Sequence, residues 1–98
     1  MNGKVILVTV MSLKLGFEDL LIPELAPIIE ASRQIDGCLA FDLYRLSENR
    51  STLILHETWT THEALEAYAL SPQKAEMTSL VTRSLAQPMR SWTVEEVY

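Results

Sequence analysis

The residues best able to do chemistry lie between His56 and Tyr68, in the run His56-Glu57-Thr58-Trp59-Thr60-Thr61-His62-Glu63 and the tyrosine beyond it. Two histidines beside acids suggest a metal. The zinc motif H-E-x-x-H, however, needs its histidines four apart on one helix, and these stand six apart across an expected strand-to-helix junction. No metal site is therefore expected, and strand and capping roles explain these residues. Leu55, Glu57 and Trp59 alternate along an extended segment and share one face, which sets a carboxylate and an indole N–H among apolar neighbours. Burial there raises a carboxyl pKa and suits it to acid or base work. Tyr68, on the helix that follows, brings a hydroxyl toward the same space. The plainer alternative is a structural Glu57 that accepts a hydrogen bond from backbone or from Arg45, with Trp59 and Tyr68 as packing residues. Other chemistries lack their parts: the glycines are Gly3, Gly16 and Gly37 alone, and neither a phosphate-binding loop nor a G-x-S-x-G elbow is present.

Such a group of side chains needs elements to hold it, and the hydrophobic pattern supplies them. Lys4 to Ser12 (KVILVTVMS) is short and rich in β-branched residues, which predicts a first strand. Phe17, Leu21, Leu25, Ile28 and Ile35 then recur at helical spacing, with Glu18 and Asp19 where the helix dipole favours acids. Pro23 and Pro27 predict a helix that is kinked or that begins in earnest at Pro23. Asp36-Gly37 ends it. Cys38 to Leu46 and Thr52 to Thr60 read as strands of a hairpin joined through Ser47 to Ser51. Thr60 with Glu63 forms a capping box for a helix over Ala64 to Tyr68. Ser71-Pro72 starts a further helical segment to about Leu85, and Met89 to Tyr98 closes as a strand. The expectation is an α+β domain over residues 1–98: a ferredoxin-like βαββαβ unit with a four-stranded antiparallel sheet and both helices on one face.

Composition adds a partner. Of 98 residues 48% are hydrophobic and 21% charged, a heavy apolar load for a chain that has length for one core. In the first strand Val5, Leu7 and Met11 point one way and Ile6, Val8 and Val10 the other, so both sheet faces are apolar while the helices cover one. A homodimer through the second face is the economical cover. The formal charge of −5 argues against nucleic acid and against anionic membrane surfaces. No apolar run is long enough to span a bilayer, and the lone Cys38 excludes an intrachain disulfide, so a cytoplasmic setting is expected.

Gly37-Cys38-Leu39, Phe41-Asp42-Leu43-Tyr44-Arg45, Leu55-His56-Glu57-Thr58-Trp59, Glu63-Ala64-Leu65-Glu66-Ala67 and Ser71-Pro72 together resemble the antibiotic biosynthesis monooxygenase domain family, especially its small quinol-monooxygenase-like members. The resemblance implies a dimeric α/β barrel of ferredoxin-like subunits. It also implies a monooxygenase that needs no cofactor, takes molecular oxygen as co-substrate and acts on a small aromatic, polyketide or quinol-type molecule. Trp59 matches the family tryptophan and Glu57 the acid two residues before it. In that reading Trp59 orients the substrate, Tyr68 hydrogen-bonds a developing oxyanion and Glu57 takes or positions a proton. Phe41, Leu43, Leu55 and Gln73 contact the substrate. Many relatives carry histidine where this chain has Tyr68 and Gln73, which favours a non-catalytic ligand-binding or stress-response dimer as the alternative. The first strand also lacks an asparagine of the haem-degrading pattern, so haem is not implied. An isomerase of a small hydroxy-ketone would further need a cation in the pocket, for which Arg45 and Lys74 are the candidates.

Overall fold

In the computed structural model, which describes residues 3–98, the β-branched run VILVTVMS forms β1 (Val5–Ser12). Gly16, at φ +85°, turns the chain into α1 (Glu18–Arg33). Leu21, Leu25, Ile28 and Ile29 are buried as one stripe of this helix. Pro23 and Pro27 both lie on its exposed side, and the helix begins at Glu18 rather than at Pro23. Solvent can therefore hydrate the carbonyls that the prolines leave without an amide donor. Gly37, at φ +89°, leads into β2 (Cys38–Leu46), and its carbonyl accepts the Thr60 N–H at 2.8 Å.

The hairpin is tighter than the polar run Ser47 to Ser51 suggests. β3 (Asn49–Trp59) starts three residues earlier than expected, because Leu46 pairs with Asn49 and leaves Ser47-Glu48 as the turn. The second helical layer is split into α2 (His62–Ala69) and α3 (Pro72–Ser84). The cap of α2 also moves by one residue: Thr61, not Thr60, accepts the Ala64 N–H, at 3.0 Å. Ser71 accepts the Lys74 N–H at 3.2 Å, and Pro72 occupies the first turn of α3, where its missing donor costs nothing. β4 (Arg90–Val94) is half the length expected, since the chain beyond Val94 leaves the sheet.

The four antiparallel strands lie in the order β2-β3-β1-β4, the ferredoxin-like arrangement, with the helices on one face. Register decides what each face holds. Leu7 opposes Glu57 and Thr9 opposes Leu55 across β1 and β3, while Phe41 opposes Glu57 across β2 and β3. These side chains face the helices. The other face carries Ile6, Val8, Val10, Ile54, Trp92 and Val94, interrupted toward β2 by His56 and Asp42. Arg33 clips α1 to the β2 edge, donating from Nε to the Phe41 carbonyl at 2.8 Å and pairing with Asp42 at 3.2 Å.

The two left-handed glycines are not equivalent. A Cβ at Gly37 would stand 2.7 Å from the Ala64 Cβ and 3.1 Å from the Thr60 hydroxyl, whereas one at Gly16 would meet open space. Gly16→Ala is expected to cost about 1 kcal/mol of backbone strain. Gly37→Ala adds overpacking and is expected to cost about 3 kcal/mol. Urea denaturation of the two variants tests this; equal losses would overturn it.

Candidate active site

Alternation along β3 puts Leu55, Glu57 and Trp59 on the helix side, and all three are buried. The Trp59 Nε1–H donates to Glu57 Oε1 at 3.0 Å, so the largest ring and the buried acid of this face satisfy each other. Tyr68, from α2, stacks on Trp59 with ring centroids 4.8 Å apart and planes at 25°. Phe41, from β2, meets both rings edge-on, at 5.6 Å from Tyr68 and 6.5 Å from Trp59. Glu57 thus sits against an aromatic wall with Phe41 and Leu7 as its cross-strand neighbours.

This surrounding governs ionisation. Burial pushes the Glu57 carboxyl above its ordinary value; the Trp59 hydrogen bond and the Lys74 ammonium pull the other way. Burial, reinforced by the Glu57 charge, also pushes the Tyr68 phenol up, so Tyr68 is a hydrogen-bond donor rather than a base at neutral pH. Its hydroxyl lies 4.0 Å from the Met77 sulfur, a weak contact.

Beside this cluster a narrow cavity of about 30 Å³ separates the sheet from α3. Thr9, Met11 and Leu55 form its floor, Met77 and Val81 its roof, and Met89 and Ser91 its β4 side. Thr9 and Ser91 share a hydrogen bond of 2.9 Å between their hydroxyls. Lys74, from the first turn of α3, and Thr78 complete the polar lining. Met77 both lines the cavity and touches the Tyr68 hydroxyl, so it is the partition between the open space and the acid–aromatic cluster. A larger hollow of about 430 Å³ lies on the surface, lined by Phe17, Leu20, Glu24, Arg83 and Ser84, and includes none of this cluster.

The structure brings Glu57, Trp59, Tyr68 and Phe41 together, with Leu55 joining them to the cavity. Leu43 lies instead beneath α1 with Ile22 and Ile29, and Gln73 lies in an outer groove with Pro27, Ile28 and Glu76. One helical position separates Gln73 from Lys74, and that rotation puts the lysine inside and the glutamine outside. Thr9, Ser91 and the three methionines were not singled out by residue type. A hydroxyl interrupting the apolar face of β1 is the one signal that could have found Thr9. Arg45 is exposed, so of the two candidate cations only Lys74 reaches the cavity. Among the described residues no group of three or more His, Cys, Asp or Glu side chains could hold a metal ion, and no helix is long and apolar enough to cross a membrane.

No curated protein matches the sequence significantly. A solved structure described as an antibiotic biosynthesis monooxygenase superposes with a TM-score of 0.89 at 19% identity, covering 96% of this chain and 99% of its own. A Mycobacterium tuberculosis protein gives 0.87 at 22% identity, with 97% and 96% covered. A Pseudomonas aeruginosa protein gives 0.86 at 21%, with 100% and 98% covered. At these identities the likeness speaks for the fold. The sequence profile of the antibiotic biosynthesis monooxygenases matches residues 4–78, a span that includes Glu57, Trp59, Tyr68 and Lys74, and the chain belongs to that family.

Proposed function

We propose that the protein, acting as one domain, is a cofactor-independent monooxygenase that oxidises a small aromatic, polyketide or quinol-type molecule in the cavity between sheet and α3. The observation that supports this most is the position of the buried Glu57–Trp59–Tyr68 cluster directly behind Met77, the side chain that separates it from a methionine-lined cavity reached by Lys74. Glu57 accepts the proton of a bound phenol, and Lys74 and the Tyr68 hydroxyl stabilise the oxyanion that remains. The electron-rich anion then reduces oxygen itself. For a hydroquinone the products are a hydroxyquinone and water: one oxygen atom enters the ring, the other leaves as water, and the substrate supplies all four electrons.

The cavity must grow to admit a ring, since a benzene-sized ligand needs about 150 Å³. Met11, Met77 and Met89 supply that adaptability, being unbranched side chains with several low-energy rotamers. Rotation of Met77 costs its weak contact with Tyr68 and joins the cavity to the catalytic cluster. A second reading, binding without turnover, is favoured by the small volume and by the mutual satisfaction of Glu57 and Trp59. The hydroxy-ketone isomerase reading has Lys74 as its one cavity cation. The partner in all three readings is a second copy of the chain, laid on the apolar outer face around Val8, Ile54 and Trp92.

Three measurements test these proposals. Oxygen uptake with small hydroquinones is expected, with Trp59→Phe and Glu57→Gln each lowering the rate at least tenfold; stabilisation by a ligand without product would favour the binding reading. The raised Glu57 pKa also has a sign: its contribution to stability is complete below about pH 4.5, the ordinary value, and is lost as pH rises through the higher folded value. Glu57→Gln, uncharged throughout, should therefore gain on the parent as pH rises above 4.5, and parallel stability curves would remove the argument. Light scattering should give twice the 11.1 kDa chain mass, falling to the monomer in Val8→Lys; a monomeric parent at micromolar concentration would overturn the dimer.

A further inference from the structure

Lys74 stands out among the cations of the molecule. Lys4 pairs with Glu96, Arg33 with Glu30 and Asp42, and Arg50 with Asp19, all within 4.0 Å and at the surface. Lys14, Arg45, Arg83 and Arg90 make no such pair either, but they are exposed; among the described residues Lys74 is the unpaired cation that is half-buried, and it lines the cavity. Its position is also electrostatically poor. It lies in the first turn of α3, where the helix dipole disfavours a cation, and no acidic residue shares that turn to compensate. Ser71 and Pro72 nevertheless fix the start of the helix at this point, which holds Lys74 over the cavity with its ammonium 5.9 Å from the Tyr68 ring centre.

The remaining lining is uncharged: the hydroxyls of Thr9, Thr78 and Ser91, and the side chains of Met11, Leu55, Met77, Val81 and Met89. The titratable neighbours are Glu57 from β3, on which the Lys74 charge acts from beyond ion-pair distance, and Tyr68 from α2; burial raises the pKa of both. A half-buried ammonium without an ion-pair partner is satisfied by an anion that arrives with the ligand. Its reach over an apolar, sulfur-lined slot fits an oxyanion attached to a ring rather than a multiply charged phosphate, for which one cation is too few.

We infer that Lys74 is a specificity-determining residue that makes this cavity bind a small phenol as its phenolate, in preference to the neutral phenol. The inference rests on the proposed function for the location of the ligand and is independent of turnover. 4-Nitrophenol is the probe, because its ionisation is read from its visible absorption, and 4-nitroanisole, the same ring without an ionisable proton, is the neutral control. On the intact protein the apparent pKa of bound nitrophenol should fall by about one unit below the free value, a tenfold preference for the anion. Lys74→Met should abolish that fall and leave nitroanisole affinity unchanged; Lys74→Arg should restore most of it. A bound pKa at or above the free value, an undiminished fall in Lys74→Met, or no saturable binding of either probe to the folded parent would overturn the inference. A lowered bound pKa together with absent oxygen uptake would keep the phenolate site and remove the monooxygenase.

Discussion

The hydrogen bond from Trp59 to Glu57, two residues apart on one strand, is the interaction around which the helix side of the sheet is arranged. A carboxyl buried among apolar residues is tolerated only where a donor meets it, and an indole N–H is tolerated under the same condition. Each solves the other's problem within β3, without help from the helices. The helices are thus free to contribute covering surface: Tyr68 stacks over the indole and the stripe of α1 packs beside it, while Phe41 of β2 closes the edge. Because the pair is self-contained, the protein can keep an ionisable group in its interior with the Lys74 ammonium at a distance.

The break at Ser71-Pro72 gives the two halves of the second helical layer separate duties. α2 carries Tyr68 and fixes the aromatic stack. α3 carries Lys74, Met77 and Thr78 and forms the roof of the cavity. A single continuous helix would place these two groups in one rigid phase relation. The turn lets packing against Trp59 be settled independently of the lining presented to a ligand.

Much of this was legible in the sequence, and the misses have definite causes. The period-two alternation of Leu55, Glu57 and Trp59 was enough to place an acid and an indole together, because side-chain direction in a strand follows from counting. The strand order followed from the order of elements. The helical positions were harder: Gln73 and Lys74 differ by one residue, and the facing of α3 depends on where Ser71-Pro72 starts it and on how it crosses α1. Cavity residues such as Thr9, on β1, and Met89 and Ser91, at β4, come from two segments distant in the chain, so no local pattern marks them. The hairpin turn and the α2 cap each shifted by a residue or more because several polar residues in a row, Ser47 to Ser51 and Thr60 with Thr61, compete for the same role.

One wall of the cavity belongs to β4, a five-residue strand at the edge of the sheet that contributes Ser91, with Met89 just before it. The family profile ends at residue 78, so this wall lies outside the matched span while the acid, the indole and the lysine lie inside it. An edge strand pairs on one side only and tolerates changes of sequence that a central strand does not. Mutation of the closing strand can therefore reshape this wall of the cavity while Glu57, Trp59 and Lys74 stay in place.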